Sequence, residues 1–359
     1  MLRRGAGWLA RQGTMPTTLR AVLGYYANSG VFDARSLQLK RRVDSDIEAM
    51  IEDAFVAVEE AIAAEFGHSF VEFEYDTKLV LPAKLTLGYL YRECDDSRHR
   101  DAEQMTRLAV EALIDGDMRD ALNDDEFGDF VVNFETEAGD RQIIAEIAQA
   151  VLQRRVEARF EEYSTDVQDA YDWAVERSET HQDQDPQFRS LLKRAREGEE
   201  QALADTEATY KHADFEDPPE VFTDEERELP YIRTQYDRVG VIYDAMIAMY
   251  RHAGLDISEP FQRSIVLAII GAQVWLDDLD DYEADMAEGQ LTPVTAEYLL
   301  ADSGEAARQS VIDISEQYLD RARGQATAAD STLTGIATEY IYRDGRPDLL
   351  PAVRPAIDG

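Results

Sequence analysis

Apolar positions recur at helical spacing along most of the chain. From Asp44 onward Ile47, Met50, Ile51, Ala54, Phe55, Val58 and Ile62 share one face and Gly67 closes the run, which predicts an amphipathic helix. Ser69-Phe-Val-Glu-Phe-Glu-Tyr75 alternates with period two instead, and reads either as a short strand or as an extended link. Lys78-Leu-Val-Leu-Pro82 leads into Leu85, Leu87, Leu90 and Tyr91, and Met105, Leu108, Ala109, Ala112 and Leu113 follow; both runs predict helices. Phe130 to Phe134 reads extended, since Gly128 argues against an uninterrupted helix there. Ile143, Ile144, Ile147, Ala148, Val151 and Leu152 then restore a helical stripe that runs to Phe160.

Residues 161–228 are the most polar part of the chain, with Pro186, Pro218 and Pro219 as breakers, and predict exposed helices and a loop that elaborate a core fold. After Pro230, Val239, Ile242, Tyr243, Met246, Ile247 and Tyr250 form a helix that ends at Gly254. Pro260 opens the next helix, whose apolar run Ser264 to Leu276 stops abruptly at Asp277. Val311, Ile312, Ile314, Tyr318 and Leu319 mark another helix, and Leu333 to Arg343 a last one before Gly345 and Pro347. The predicted fold class is all-α. Residues 1–30 are expected to be an N-terminal extension, partly disordered, with Met15 a rival start, and 31–350 a single helical domain that carries the polar elaboration.

Charge narrows the choice of partners. There are 74 Asp+Glu against 36 Lys+Arg, a formal net charge of -38 at pH 7, while 44% hydrophobic residues leave enough apolar material for a core. Such a field repels nucleic acid and anionic membranes, and its even spread points to a surface adapted to high salt. The single Cys94 rules out an internal disulfide framework and a thiolate zinc site, and fits a cytoplasmic location. No apolar run reaches the ~20 residues that a transmembrane helix needs. The N-terminal Arg3-Arg4 lacks a following apolar stretch and does not read as a signal peptide.

The candidate chemistry lies where the apolar run meets Asp277-Asp278-Leu279-Asp280-Asp281-Tyr282-Glu283-Ala284-Asp285. Helical periodicity puts Asp277, Asp281 and Asp285 on one stripe with Asp278 beside Asp281, and carboxylates so placed repel one another unless a cation lies between them. A helix that merely leaves the core for solvent is the competing reading, but solvated acid runs seldom follow so apolar a segment. Hard oxygens one helical turn apart suit Mg²⁺, with Asp277 and Asp281 as direct ligands and Asp278 and Asp285 in support. The five histidines show no metal-ligand spacing and are expected to face solvent. Trp275, Met246 and Tyr250 read either as the lining of an apolar pocket or as ordinary core, with core packing favoured.

Gly271-Ala-Gln-Val-Trp-Leu-Asp-Asp-Leu-Asp-Asp-Tyr-Glu-Ala-Asp285 resembles the second aspartate-rich motif of the trans-isoprenyl diphosphate synthases. Tyr231-Ile-Arg-Thr234 resembles the Lys-Thr segment upstream of that motif, and Ala337 to Arg343 the terminal helix with its Arg, so the likeness spans about 230–345. It implies a divergent, haloarchaeal-type member of the class I isoprenoid synthases: a bundle of long helices around a central apolar cavity. In that family two facing aspartate-rich helices hold Mg²⁺ against the diphosphate of an allylic substrate, whose ionisation yields a cation that alkylates isopentenyl diphosphate or cyclises. By resemblance Asp277, Asp278 and Asp281 are catalytic, and Arg233, Thr234, Gln273 and Lys78 bind substrate. Asp277, Asp281 and Asp285 hold metal, together with Asp124 and Asp125 of a first motif.

The chain departs from the family in its first half. Leu81 stands where Lys78-Leu-Val-Leu-Pro82 should carry an arginine, and Asp124-Asp125-Glu-Phe-Gly-Asp129 differs from the expected spacing and lacks the arginines that should follow. Asp115, Asp117 and Asp120 are a rival set, and either group reads equally as an acidic turn. Arg233 replaces a lysine, Gln290 stands where a lysine often follows the second motif, and Gln273 is one residue further from the aspartates than the family's glutamine. These changes keep three readings open: prenyl transfer to isopentenyl diphosphate, a terpene-cyclase-like reaction, and a non-catalytic regulatory subunit. The resemblance further implies a homodimer or pairing with another prenyl synthase.

Overall fold

The computed structural model describes residues 6, 10, 15–30, 34–123, 130–137 and 139–353. It is all-α, with helix over 78% of the chain. Two compact units divide it, one made of Met1–Asp33, Tyr171–Ala245 and Ser258–Gly359, the other of Ala34–Ala170 and Met246–Ile257. Met246 and Tyr250 are buried in this second unit, as the core reading expects.

In the second unit, helices α2 (Ala34–Phe66), α3 (Leu81–Glu93), α4 (His99–Asn123) and α5 (Asp140–Phe160) pack on one another through the stripes seen in the sequence. Ile47, Ala54, Val58 and Ile62 are fully buried, as are Leu87, Leu90, Met105, Leu108, Ile144, Ala148 and Leu152. Burial of each large aliphatic side chain contributes about 1.5–3 kcal/mol. The alternating segment does form a strand, but only over Phe73–Tyr75 (β1), which pairs antiparallel with Phe130–Val132 (β2). Phe73 supplies the reason, since it buries its ring edge-on against Phe55 at 5.3 Å and beside Phe130 at 5.6 Å.

In the first unit a helix near the start of the chain meets one near its end. α1 (Thr17–Ser29) packs on the last helix, where a Cβ at Gly335 would lie 2.1 Å from the Tyr25 ring, so only glycine permits this approach. The polar stretch supplies α6 (Thr165–Gln182, from Tyr171 within this unit), α7 (Asp185–Arg196) and α8 (Glu200–Asp205). It is less peripheral than its composition suggests. Phe188, Leu191, Leu192, Ala195, Tyr210 and Phe222 from it are buried in one cluster with Val266, Leu267 and Ile270. α9 (Ile232–Gln235), α10 (Val241–His252, of which Val241–Ala245 belong to this unit), α11 (Glu259–Ala272), α12 (Tyr282–Glu288), α13 (Pro293–Leu300), α14 (Gly304–Ala328) and α15 (Thr332–Asp344) follow, and α11 packs extensively on α14. No helix among the described residues is long and apolar enough to cross a membrane.

Candidate functional site

The helix that leads into the aspartates is not straight. Ser258 caps α11 and Pro260 occupies its first turn, but regular helix ends at Ala272 and the backbone widens into a π turn over Gln273–Asp277. A short turn, Asp278–Asp280, is followed by a break at Asp281 (φ -91, ψ 2), after which α12 begins. The uninterrupted stripe expected from the sequence is therefore redistributed. Asp281 and Asp285 still donate their backbone N–H groups to the carbonyls of Asp277 and Asp281, each at 2.9 Å, but the side chains diverge in environment. Asp277, Asp280 and Asp281 are exposed, Asp285 is half-buried, and Asp278 is 2% exposed. Bringing all of them onto one face of a continuous helix would crowd like charges, and the π turn and the break disperse them.

Asp278 turns inward to Arg238, whose Nη1 donates to Oδ1 at 2.8 Å, and Gln273 Nε2 donates to the same oxygen at 3.4 Å. Oδ2 is buried with no hydrogen-bond partner. Burial holds the Asp278 carboxyl above the usual carboxylate range against the pull of Arg238. Asp285 is pushed up to about 7, first by burial and then by the charge of Asp278, with Asp281 adding to it and Arg238 and a hydrogen bond from Thr292 opposing. Asp278, with one buried oxygen left over, and Asp285, raised by the charges of Asp278 and Asp281, set an electrostatic condition that a cation relieves.

The element beside the aspartate turn is cationic. It stands on a second π turn, Tyr236–Gly240, which continues α9 and presents Arg238. Arg233 and Arg177 both pair with Asp237, at 3.6 and 2.7 Å. Arg177 comes from α6, in the polar stretch that is not predicted to join the site, although Trp173, Arg177 and His181 are spaced four apart on one helical face. His181 corrects the expectation that the histidines face solvent. It is 8% exposed, and burial pushes it down to about 4, so it is neutral near neutral pH beside Asp237, Arg238 and Arg233. Thr234 is buried and donates its hydroxyl to the carbonyls of Tyr210 and Tyr231 at 3.3 and 3.2 Å. Tyr210 and the carbonyl of Lys211, which accepts from Tyr231 N–H, lie on a third π turn, Thr206–Lys211. π turns are rare and favour functional sites; here three of them frame one cluster.

α12 is fixed at its C-terminal end by arginines of α7. Arg196 Nη1 donates to the Met286 carbonyl at 2.8 Å and Arg189 Nη1 to that of Glu288 at 3.1 Å, where helical carbonyls otherwise lack partners. Gly289, at φ 76, supplies the left-handed residue that ends the helix.

The other predicted residues lie in the second unit. Lys78 is 92% exposed in side chain and pairs with Asp76 at 2.9 Å, on a single 3₁₀ turn before α3. Asp124 and Asp125 fall outside the described residues. Of the rival set, Asp115 is buried between Arg119 at 2.7 Å and Gln149 at 3.2 Å, and Asp117 accepts from the Tyr75 hydroxyl. Among the described residues, no three Asp, Glu, His or Cys side chains gather closely enough to hold a metal ion.

Comparison with known proteins adds one likeness. No family model matches the chain, and no curated protein matches it by sequence. Among solved structures, the octaprenyl pyrophosphate synthase of Helicobacter pylori is similar, with a TM-score of 0.52 over 83% of this chain and 99% of that one, at 12% identity. The chain has the polyprenyl synthase fold.

Proposed function

We propose that this protein is a Mg²⁺-dependent prenyltransferase that takes an allylic prenyl diphosphate and transfers the prenyl group to isopentenyl diphosphate. The observation that carries the reading is the pairing of a polyprenyl synthase fold with an acidic turn in which one oxygen of Asp278 is buried without a partner and Asp285 is raised by burial and by the charges of Asp278 and Asp281. Mg²⁺ commonly takes one or two carboxylates and completes its shell with water and phosphate oxygens, so one or two of Asp277, Asp281 and Asp285 would hold it without a closed protein cage. When bound, the ion neutralises the diphosphate as it leaves. Arg238 and Gln273 hold Asp278 in place. Arg233, Arg177 and Arg238 offer guanidinium donors to phosphate oxygens, and neutral His181 adds no competing charge. Thr234 positions this helix through backbone carbonyls rather than offering its hydroxyl to substrate. The acidic surface serves solubility in concentrated salt, in the manner of a haloarchaeal-type protein, and the chain works in the cytoplasm.

The test is incubation with Mg²⁺ in high salt and geranyl, farnesyl or geranylgeranyl diphosphate, with and without isopentenyl diphosphate. Elongated products that require isopentenyl diphosphate support prenyl transfer, and diphosphate release without it supports cyclisation. A second reading, a non-catalytic subunit that pairs with an active synthase, is favoured by the engagement of Asp278 with Arg238 and of Asp115 and Asp117 with Arg119 and Tyr75. It predicts no turnover alone and activation of a partner synthase on mixing.

A further inference from the structure

The aspartate turn is gripped by the end of the last helix. Trp275 lies in the middle of the π turn, two residues before Asp277. Its Nε1–H donates to the Tyr342 carbonyl at 3.0 Å, and its ring stacks on Tyr342 with centroids 6.3 Å apart and planes 9° apart. Gly345 closes over the edge of the indole, where a Cβ would fall 1.9 Å from Nε1. One residue further, Arg346 approaches Asp280 at 3.5 Å. These contacts bracket Asp277 and Asp278 from both sides. α15 is itself anchored, because its fully buried Glu339 pairs with Arg323 of α14 and with Arg343, and Gly335 seats Tyr25 of α1.

We propose that Tyr342–Arg346 is a positioning clamp for the aspartate turn, with Gly345 and Trp275 as its two halves. The proposal rests on the reading of that turn as a cation and diphosphate site. A π turn holds one more residue per hydrogen-bonded ring than an α turn and persists only where tertiary contacts favour it. The seat on Tyr342 and Gly345 is such a contact. Without it the segment relaxes toward regular helix, and every residue after it rotates by about 100° around the axis, the angle of one residue. Asp278 would then leave Arg238, and Asp277 and Asp281 would change the direction in which they face. The clamp touches neither cation nor substrate, and it sets the register in which the carboxylates are offered.

The full-length wild type is compared with Gly345→Ala, Trp275→Leu, Trp275→Phe and the Gly345→Ala/Trp275→Leu double variant. Hydrogen exchange without divalent cation should show backbone N–H groups of 273–281 exchanging about tenfold faster in Gly345→Ala, with exchange in α14 unchanged. Mn²⁺ titration by electron paramagnetic resonance should show affinity about tenfold weaker, the scale on which groups that orient ligands act. Binding of inorganic diphosphate at saturating Mn²⁺ should be unchanged, a separation that general loss of structure would not give. The double variant should be no worse than Trp275→Leu, because the clash requires the indole. Should Gly345→Ala fail to fold, Trp275→Phe, which keeps a ring but loses the donor, carries the same prediction with a smaller rise in exchange. Unchanged exchange at 273–281 in the folded variants, or additive effects in the double variant, would overturn the clamp. A wild type that binds no Mn²⁺ would overturn the proposed function instead, leaving the exchange data to decide the clamp.

Discussion

Two buried carboxylates show how differently one residue class is used in this chain. Glu111 of α4 is fully buried and both its oxygens are spent: Arg155 reaches Oε1 at 2.7 Å, and Arg159 takes Oε2 at 2.5 Å and Oε1 at 2.9 Å. Asp278 is just as enclosed, yet Arg238 and Gln273 share one oxygen and the other has no partner. In the first arrangement both carboxylate oxygens are paired. The second leaves one oxygen unpaired, among Asp277, Asp280, Asp281 and Asp285 on three successive backbone irregularities. In a protein with 74 acidic residues, acid density does not mark a site; unspent lone pairs in a crowded, buried setting do.

The comparison can be broken at either end. Glu111→Ala leaves two guanidinium groups without their buried partner and should lower stability by about 3 kcal/mol, given that Arg155 and Arg159 keep some access to water. Urea unfolding checks this, and a loss below about 1 kcal/mol would mean that the pairing is not structural in the sense argued.

Asp285 gives the next effect. Its folded value of about 7 lies above the ordinary 3.8, so between about pH 4 and 7 the folded chain binds more protons than the unfolded chain. Stability should therefore fall as pH rises through that window. Asp285→Asn should flatten the fall by about 1–2 kcal/mol, a figure reduced for the solvent access of a half-buried group. Urea midpoints between pH 4.5 and 7.5 without divalent cation give the slope, and adding Mg²⁺ should flatten it in the wild type as well.

Arg177→Ala removes the closer of two partners of Asp237 and leaves Arg233, so about 1 kcal/mol is expected in the same assay. The smallest stability change belongs to Asp278→Asn. Asn keeps the shape and one acceptor for Arg238, whose guanidinium reaches water, so the loss should stay below about 1 kcal/mol, against the larger loss at Glu111, while diphosphate-dependent activity is abolished. A loss equal to that at Glu111 would place both residues in the same structural class.

Much of this was legible along the chain. The stripes through Ile47 to Ile62 and Ile144 to Leu152 became buried helix faces, with Ile143 left exposed, because 3.6-residue periodicity follows from burial on one side. The pairing of Phe73–Tyr75 with Phe130–Val132 was not, since so short a strand depends on a partner about sixty residues away. Within the site, the aspartates announced themselves by following an apolar run. Their actual arrangement did not, because the π turn depends on Trp275 meeting Tyr342, a contact that no local pattern encodes. His181 and Arg177 were hidden for a related reason. They lie in the polar stretch whose apolar residues are sparse, although Phe188, Leu191 and Leu192 bury it in the core of the first unit.

The central claim is that the turn from Asp277 to Asp285 binds a divalent cation and, through it, a diphosphate. Isothermal titration of inorganic diphosphate into the full-length protein at saturating Mg²⁺ tests it most directly, in wild type and in Asp277→Ala/Asp281→Ala. Both residues are exposed, so their removal should leave the fold intact. The account predicts Mg²⁺-dependent binding in the wild type and a loss of at least about tenfold in affinity in the double variant, the scale expected when metal ligation is disturbed. Equal affinity in the two proteins, or binding that ignores Mg²⁺, would contradict it.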